Sequence, residues 1–411
     1  METDFSLMPA SSRLFQPLSA RDLAIAVPNV TSDDTNEKVL EVFSRHRELI
    51  SLPVLENERP MGLISRHIFM SQMSRPYHRE LYEKKTCIAF MDKDPLIVSA
   101  DTSIEMLAAL AVDSGDKTLA DGFMIVEDAR FIGLGSGLDL MRKMVDLQSE
   151  KNHQVMQSID YASVIQRAML STSRGAMSAA LGDACLVWEP RDVVGGDFYH
   201  FERFPDGWFA AVADCTGHGV PGAFLTLIAS SALTQAIGRH GPKDPGLLMG
   251  EVNRGMKQVL GQHSVDDRLS DSDDGMDAIF MWFDSRTRQL TSASAKMPMM
   301  TLSAEAKEVE TIDGERVGLG YVGTSNAMRW ANRTLQLAPG TIIFTMTDGI
   351  IDQIGGGKNI AFGKQRLRDG LLRHRDLPMA LLAETLMLEQ SSYQGQHRRR
   401  DDLTFFGFRL D

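Results

Sequence analysis

The sequence predicts a mixed α+β protein: a small α/β module made from an internal repeat, one long helix, and a larger region of strands and helices. Three observations predict it. The segments Val54–Ser65 and Ile125–Ser136 align at a constant offset of 71 without a gap. Leu140–Leu170 contains neither Pro nor Gly, the two residues that most disfavour a helix interior. Beyond residue 176, aspartates recur where apolar runs of strand length stop. The expected organisation is a lead-in over 1–27, the repeat module over 28–139, the connector helix over 140–175 and the strand–helix region over 176–411.

Bulk properties narrow the class. A chain of 411 residues has room for two or three cores. A formal net charge of −12 argues against a nucleic-acid binder. Three scattered cysteines, Cys87, Cys185 and Cys215, form neither a disulfide framework nor a thiolate metal site, and point to a reducing compartment. Met1–Ala20 lacks the basic start and long apolar core of a secretory signal. Apolar stretches such as Ala223–Leu233 are short for a bilayer span. The expectation is a cytoplasmic protein without nucleic-acid or membrane partners.

Within the repeat, Glu56 falls on Glu127, Arg59 on Arg130, Gly62 on Gly133 and Ser65 on Ser136. Each copy reads as a hairpin: apolar strand, polar turn, second strand ending at Gly-Leu. Helix-start signals precede both, Asp33–Asp34 before Val39, Leu40 and Phe43, and Asp101–Ser103 before Ile104, Leu107 and Leu110. Tyr77–Lys85 is a charged insertion between the copies. The paired helix–strand–strand unit resembles a tandem CBS domain over roughly residues 28–145. That resemblance implies adenine-nucleotide binding between the copies, with Asp139 as a ribose contact. His67, its rough counterpart in the first copy, departs from the pattern. A purely structural or dimerising pair is the alternative.

In the connector, placing Met141 at a gives Met141, Gln148, Val155, Ala162 and Met169 on one heptad row, with Met144, Lys151, Ser158 and Ile165 at d. Apolar ends and a polar middle suit a weak two-helix seam that shifts register, or a linker helix packed on the domain that follows. A homodimer is expected.

The last 235 residues hold the chemistry. Val193–Tyr199 is V-V-G-G-D-F-Y, placing Asp197 after two glycines. Asp206–Leu233 reads as turn, strand, Asp214, a bend carrying Gly217, Gly219 and Gly222, then a helix opened by Pro221. After the turn at Pro339–Gly340, the run T-I-I-F-T-M-T ends on Asp348. Asp401–Asp402–Leu403–Thr404 opens a further strand. Turns favour Asp in any protein, but four carboxylates at strand edges are what a pair of hard, oxygen-seeking cations needs. No His/Cys cluster competes as a zinc site.

These four motifs, in this order, resemble the SpoIIE/RsbU-type branch of the PP2C-like (PPM) serine/threonine protein phosphatases over about residues 158–411. Ser158–Leu170 is similar to the helix that precedes the family's catalytic domain. The resemblance implies an α+β, PP2C-like β-sandwich flanked by helices, preceded here by the CBS-like module and the connector. By motif it implies two Mn²⁺ or Mg²⁺ ions held by Asp197, Asp214, Asp348 and Asp401. Asp214 would be the bridge, and the backbone carbonyl of Cys215 a further ligand. Asp402 is the alternative to Asp401. Such a metal pair activates water for in-line attack on a phosphoserine or phosphothreonine. The implied substrate is a phosphorylated STAS-type anti-sigma factor antagonist, with the N-terminal module as sensor.

Around these positions several roles stay open. His218 protonates the leaving oxygen or shapes its turn. Lys296, in a segment that varies between Gly-His and Ala-Lys forms in the family, contacts phosphate or is a loop lysine. Arg191 is a second phosphate-contact candidate. His397–Arg400 attracts a phosphoprotein or is a solvated loop. The acidic stretch Ser264–Asp277 reads as a mobile loop whose end reaches toward the metals. Two further activities are alternatives: a non-catalytic docking scaffold and a small-molecule phosphatase.

Overall fold

The computed structural model describes residues 18–262 and 273–410. Asp266, Asp267 and Asp271 of the acidic stretch lie outside the described residues. The chain forms two compact units, Met1–Val155 and Met156–Asp411.

The first unit is the repeat. Helix α1 (Asn36–Arg45) precedes strands β1 (Ser51–Glu56) and β2 (Arg59–Ser65), followed by helices α2 (Arg66–Met73) and α3 (His78–Tyr82). The second copy has β3 (Ile97–Ser99), α4 (Ile104–Asp113), α5 (Asp116–Asp121), β4 (Phe123–Glu127) and β5 (Arg130–Gly135). The copies match in detail. Both hairpins close on two-residue turns in left-handed backbone, Asn57–Glu58 and Asp128–Ala129, the geometry that fits the right-handed twist of paired strands. Both carry a bulge at the same place, between Val54 and Leu55 and between Ile125 and Val126. Leu52 and Val54 centre one core, and their counterparts Phe123 and Ile125 centre the other.

Residues 18–27 are built into this unit rather than leading into it. Ala20 and Leu23 are buried in the second core. Ile25 and Leu134 exchange backbone hydrogen bonds of 3.1 and 2.9 Å, and Arg21 pairs with Glu127 at 2.6 Å.

Helix α6 (Gly137–Ala180) is continuous over 44 residues, about 66 Å at 1.5 Å per residue. In the first unit Leu140, Met144 and Leu147 pack on the second core. In the second unit the buried row is Ser163, Gln166, Leu170, Ser173 and Met177. The heptad row expected to face a second helix is a different one and is largely exposed. Met141, Val155 and Ile165 are 61%, 58% and 46% exposed. From residue 163 onward the helix belongs to its own domain, and spacing alone does not say which face a domain claims.

The second unit continues with β6 (Ala184–Glu189), β7 (Asp197–Phe204), β8 (Gly207–Cys215), α7 (Gly219–His240) and α8 (Pro245–Leu260). Strands β9 (Met276–Asp284), β10 (Gln289–Ala295), β11 (Met299–Leu302), β12 (Glu310–Ile312), β13 (Arg333–Gln336) and β14 (Ile342–Met346) follow. A small hairpin, β15 (Ile354–Gly355) and β16 (Ile360–Ala361), then leads to α9 (Gly363–Arg373), α10 (Met379–Gln394) and β17 (Leu403–Arg409). Two five-stranded antiparallel sheets result, ordered β13-β10-β9-β8-β7 and β12-β11-β14-β17-β6.

Strand alternation assigns the layers. On β8, Trp208, Ala210 and Val212 join Ile279, Met281, Phe406 and Phe408 between the sheets. Phe209, Ala211, Ala213 and Cys215 face the other way, onto α7 and α8. Helices α9 and α10 cover the outer face of the second sheet through Leu367, Leu371, Leu382 and Leu386. The layering is helix, sheet, sheet, helix. Helix α7 runs well past Ala223–Leu233, and its length and hydropathy alone would allow it to cross a bilayer. In this fold its apolar side, Leu225, Ala229, Leu233 and Ala236, is part of the core against the first sheet.

Candidate metal centre

The alternation that fills the sandwich also loads one end of it with carboxylates. Side chains two apart share a face, so the inward row Trp208, Ala210, Val212 continues to Asp214. On β9 the row Phe283, Met281, Ile279 continues to Asp277. Asp214 pairs across the ladder with Asp197 on one side and Asp277 on the other. The second sheet contributes Asp348, in a 3-10 turn directly after β14, and Asp401–Asp402, directly before β17.

Asp197 is the most enclosed of them, 1% exposed. Its Oδ2 accepts a 2.8 Å hydrogen bond from Thr347 Oγ1, and Trp188 Nε1 donates to its main-chain carbonyl at 2.9 Å. Its Oδ1 is buried without a hydrogen-bond partner. Burial, then the charge of Asp402, pushes the Asp197 carboxyl well above the usual carboxylate range. Burial does the same to Asp214, reinforced by Asp197, Asp348, Asp401 and Asp277. Asp348 is pushed up to about 6 by burial and then by Asp401. Carboxylates from five chain segments therefore sense one another across a common space. Among the described residues, no three His, Cys, Asp or Glu side chains close on one point as a single-ion site. An all-oxygen donor set that includes an unpartnered buried Asp197 oxygen fits hard divalent cations.

The neighbours Asp401 and Asp402 differ. Asp402 is 3% exposed. Its Oδ1 accepts from the Arg191 N–H and its Oδ2 from the Gly196 N–H, both at 2.6 Å. Both oxygens are thus used in tying the β6–β7 connection to the start of β17. Asp401 accepts only from the Asp402 N–H, through Oδ1 at 2.9 Å, and stays partly exposed at the rim.

Backbone closeness explains two glycines. A Cβ at Gly196 would lie 2.3 Å from the Gly217 carbonyl oxygen and 2.9 Å from that of Cys215. A Cβ at Gly349 would lie 1.8 Å from the Asp402 carbonyl oxygen. Cys215 is buried, and burial raises its thiol far from ionisation; only its main chain is available to the site.

The other expected residues fall around this centre. Lys296 Nζ pairs with Asp277 at 3.1 Å and lies 4.6 Å from the centre of the Tyr321 ring. His218 Nδ1 lies 3.0 Å from Asp192 Oδ2 at the start of α7. The Arg191 guanidinium donates to the Arg400 carbonyl at 3.2 Å. Asp139 is at the head of α6, where its Oδ2 accepts from Ser136 Oγ at 2.6 Å. It does not line either of two cavities in the module, one bordered by Arg66, His67, Lys117 and Asp121, the other by Asp92, Asp94, Lys117 and Asp121.

Sequence reasoning missed Gln166 and Thr347. Gln166, 2% exposed, donates from Nε2 to the Gly195 carbonyl at 2.7 Å and to Thr226 Oγ1 at 3.2 Å, and accepts from the Gly195 N–H at 3.2 Å. Helix α6 thereby grips the glycine pair two residues before Asp197. The available signal was a polar residue in the row Ser163, Gln166, Leu170. Behind the site, Asn253, Lys257 and Gln262 from α8 and its end hold the backbone of 274 and 320–325.

Comparison with known proteins agrees with this architecture. Residues 205–411 match the family model described as Stage II sporulation protein E (SpoIIE), and residues 20–75 match the CBS domain model. The chain is similar to the SiaA-PP2C domain of Pseudomonas aeruginosa, at 38% identity and TM-score 0.57, covering 64% of this chain and 99% of that one. It is also similar to the PP2C phosphatase domain, with a regulatory fragment, of SpoIIE from Bacillus subtilis. There the identity is 16% and the TM-score 0.45, over 56% of this chain and 63% of that one. No curated protein matches the chain.

Proposed function

We propose that this chain, which belongs to the SpoIIE family of PP2C-like serine/threonine phosphatases and carries an N-terminal CBS domain, hydrolyses phosphoserine or phosphothreonine on a protein with two divalent cations held at the sandwich end. The observation that carries this reading is the Asp197–Asp214 ladder pair, with a buried, unpartnered Asp197 oxygen, facing Asp348 and Asp401 across the same opening. Asp197, Asp214 and the Cys215 carbonyl would hold one ion, and Asp214, Asp348 and Asp401 the other. Asp401 is preferred over Asp402 because both Asp402 oxygens already accept backbone hydrogen bonds. Two Mn²⁺ or Mg²⁺ ions supply a water of lowered pKa and a clamp on the phosphate oxygens.

The chain's own residues do the rest. Thr347 and the glycine pair fix Asp197. Lys296, steered by Asp277 and Tyr321, offers a cation to the phosphate. The His218–Asp192 contact holds the bend that begins α7, which supports a positioning role for that histidine. The substrate is read as a phosphorylated STAS-type antagonist, and the CBS-like unit as a sensor, open to adenine nucleotides and acting through α6 in a homodimer. The Asp139 carboxylate, assigned to the ribose, accepts from Ser136 at the head of α6 and would have to exchange that contact for a nucleotide. The test is phosphate release from a phosphoserine protein with Mn²⁺, compared with Asp214→Asn. Release by the wild type and loss of at least about a hundredfold in the variant are expected; equal rates would remove the catalytic assignment.

A further inference from the structure

Within the second unit, next to the carboxylates, an open cavity of about 880 Å³ is bordered by α6, the segment after β6, and the loop before β17. Its size is within the range of ligand pockets, about 300–1,000 Å³. Four guanidiniums border it: Arg167, Arg174, Arg191 and Arg399. Two carboxylates border it too, and both are engaged, Glu189 by Arg399 and Asp192 by His218. Arg191 is anchored through its guanidinium to the Arg400 carbonyl.

Arg167 and Arg174 are different. Both are exposed, and neither has an ion-pair or hydrogen-bond partner for its side chain among the described residues. Seven residues apart on one helix, they share a face and stand about 10.5 Å apart along the axis. Ser171, Gly175 and Ser178 complete that helix face, and such small side chains leave room for a chain to lie against it. On an extended segment in the polyproline II form, with about three residues per turn and a rise of about 3.1 Å, carboxylates three residues apart lie on one side about 9 Å apart, so they meet this pair in register. In a chain with a formal net charge of −12, an unneutralised basic groove is a local reversal of the prevailing sign. The groove is also continuous with the catalytic rim: the Arg191 N–H binds Asp402, and Asp192 binds His218.

We propose that this groove docks an acidic, extended segment of the phosphoprotein substrate while its phosphorylated residue occupies the metal centre. The inference rests on the phosphatase reading above and adds to it a recognition surface outside the catalytic residues. Opposite charge in such a groove raises encounter and fixes register.

The test uses the full chain with Mn²⁺ at low salt and two phosphoserine peptides, one flanked on both sides by glutamates and its glutamine twin. The wild type should favour the glutamate peptide by about tenfold in kcat/KM, mostly through KM, which is what two exposed ion pairs supply. The double variant Arg167→Gln/Arg174→Gln should reduce the preference to within about twofold, while Arg167→Lys/Arg174→Lys keeps most of it. Turnover of p-nitrophenyl phosphate, too small to reach the groove, should be the same in all three and reports an intact fold. No preference in the wild type, or an undiminished preference in the glutamine variant, overturns the proposal. Turnover of p-nitrophenyl phosphate but of neither peptide removes the protein-phosphatase reading itself, and the proposed occupant with it.

Discussion

Replacing Gln166 by Leu keeps the side chain's approximate bulk and removes its three hydrogen bonds. Two of them satisfy the N–H and C=O of Gly195, a buried residue. An unsatisfied buried backbone group costs about 1–3 kcal/mol, so the pair costs about 2–6 kcal/mol. That cost has two places to appear. If the glycine pair stays in place, the domain loses stability by that amount. If the pair moves to find partners, Asp197 moves with it and cation affinity falls, tenfold for each 1.4 kcal/mol. Urea unfolding of the metal-free protein measures the first, and the Mn²⁺ midpoint for p-nitrophenyl phosphate turnover measures the second. The expected result is a combined loss of at least about 2 kcal/mol across the two readouts. Gln166→Glu, which keeps the acceptor for the Gly195 N–H, should fall between Leu and wild type. An unfolding midpoint and a Mn²⁺ midpoint both unchanged in Gln166→Leu would refute the claim that α6 holds the Asp197 loop.

Three further outcomes follow from the site. Asp197, Asp214 and Asp348 all have folded pKa values raised by burial and by one another. An acid raised in this way disfavours the fold once pH passes its unfolded value, near 3.9. Metal-free stability should therefore fall from about pH 4 through about 6, where Asp348 titrates, and further as the other two ionise. Thermal unfolding should show that slope flattened by Mn²⁺, which adds about 2.7 kcal/mol at a hundred times its Kd; a pH profile indifferent to Mn²⁺ would contradict it. Gly196→Ala places a methyl 2.3 Å from the Gly217 carbonyl oxygen, and should abolish Mn²⁺-dependent turnover while circular dichroism reports a folded chain. Lys257→Met leaves the carbonyls of Tyr321, Val322 and Thr324 without the ammonium that binds them at 2.6–3.1 Å. Unfolding in urea should show a loss of about 3 kcal/mol, and a variant as stable as wild type would mean that water replaces the ammonium there.

The strongest features of the fold were legible because they are periodic or local. The 71-residue offset survives into matching turns and matching bulges, since a two-residue hairpin loop leaves little freedom in register. The alternation on β8 carries Asp214 to the end of the inter-sheet face, so its position as a strand-tip carboxylate could be read from the string alone. What resisted reading depends on the partner rather than on the pattern. The face of α6 that packs within the second unit, through Gln166 and Leu170, carries no apolar period of its own, and only the elements it meets select it. Asp401 and Asp402 are chemically identical in sequence, and the Arg191 and Gly196 N–H groups, some two hundred residues away, distinguish them. Residues 18–27 lacked a strong apolar period, yet the exposed edge of β5 supplies backbone partners for Ile25 that no period announces.

Strand β17 lies in the middle of its sheet, between β14 and β6, although it is the last of the strands to be synthesised. Until residues 401–409 have left the ribosome, β6 has no ladder partner and the Gly196 N–H has no Asp402 to bind. The two sheets cannot close over Phe406 and Phe408 before then. The nascent chain can complete its CBS-like unit early, but the carboxylate rim is assembled in one late step. Translation thus orders the two halves in time, with the folded CBS-like unit present before the carboxylate end of the sandwich is finished.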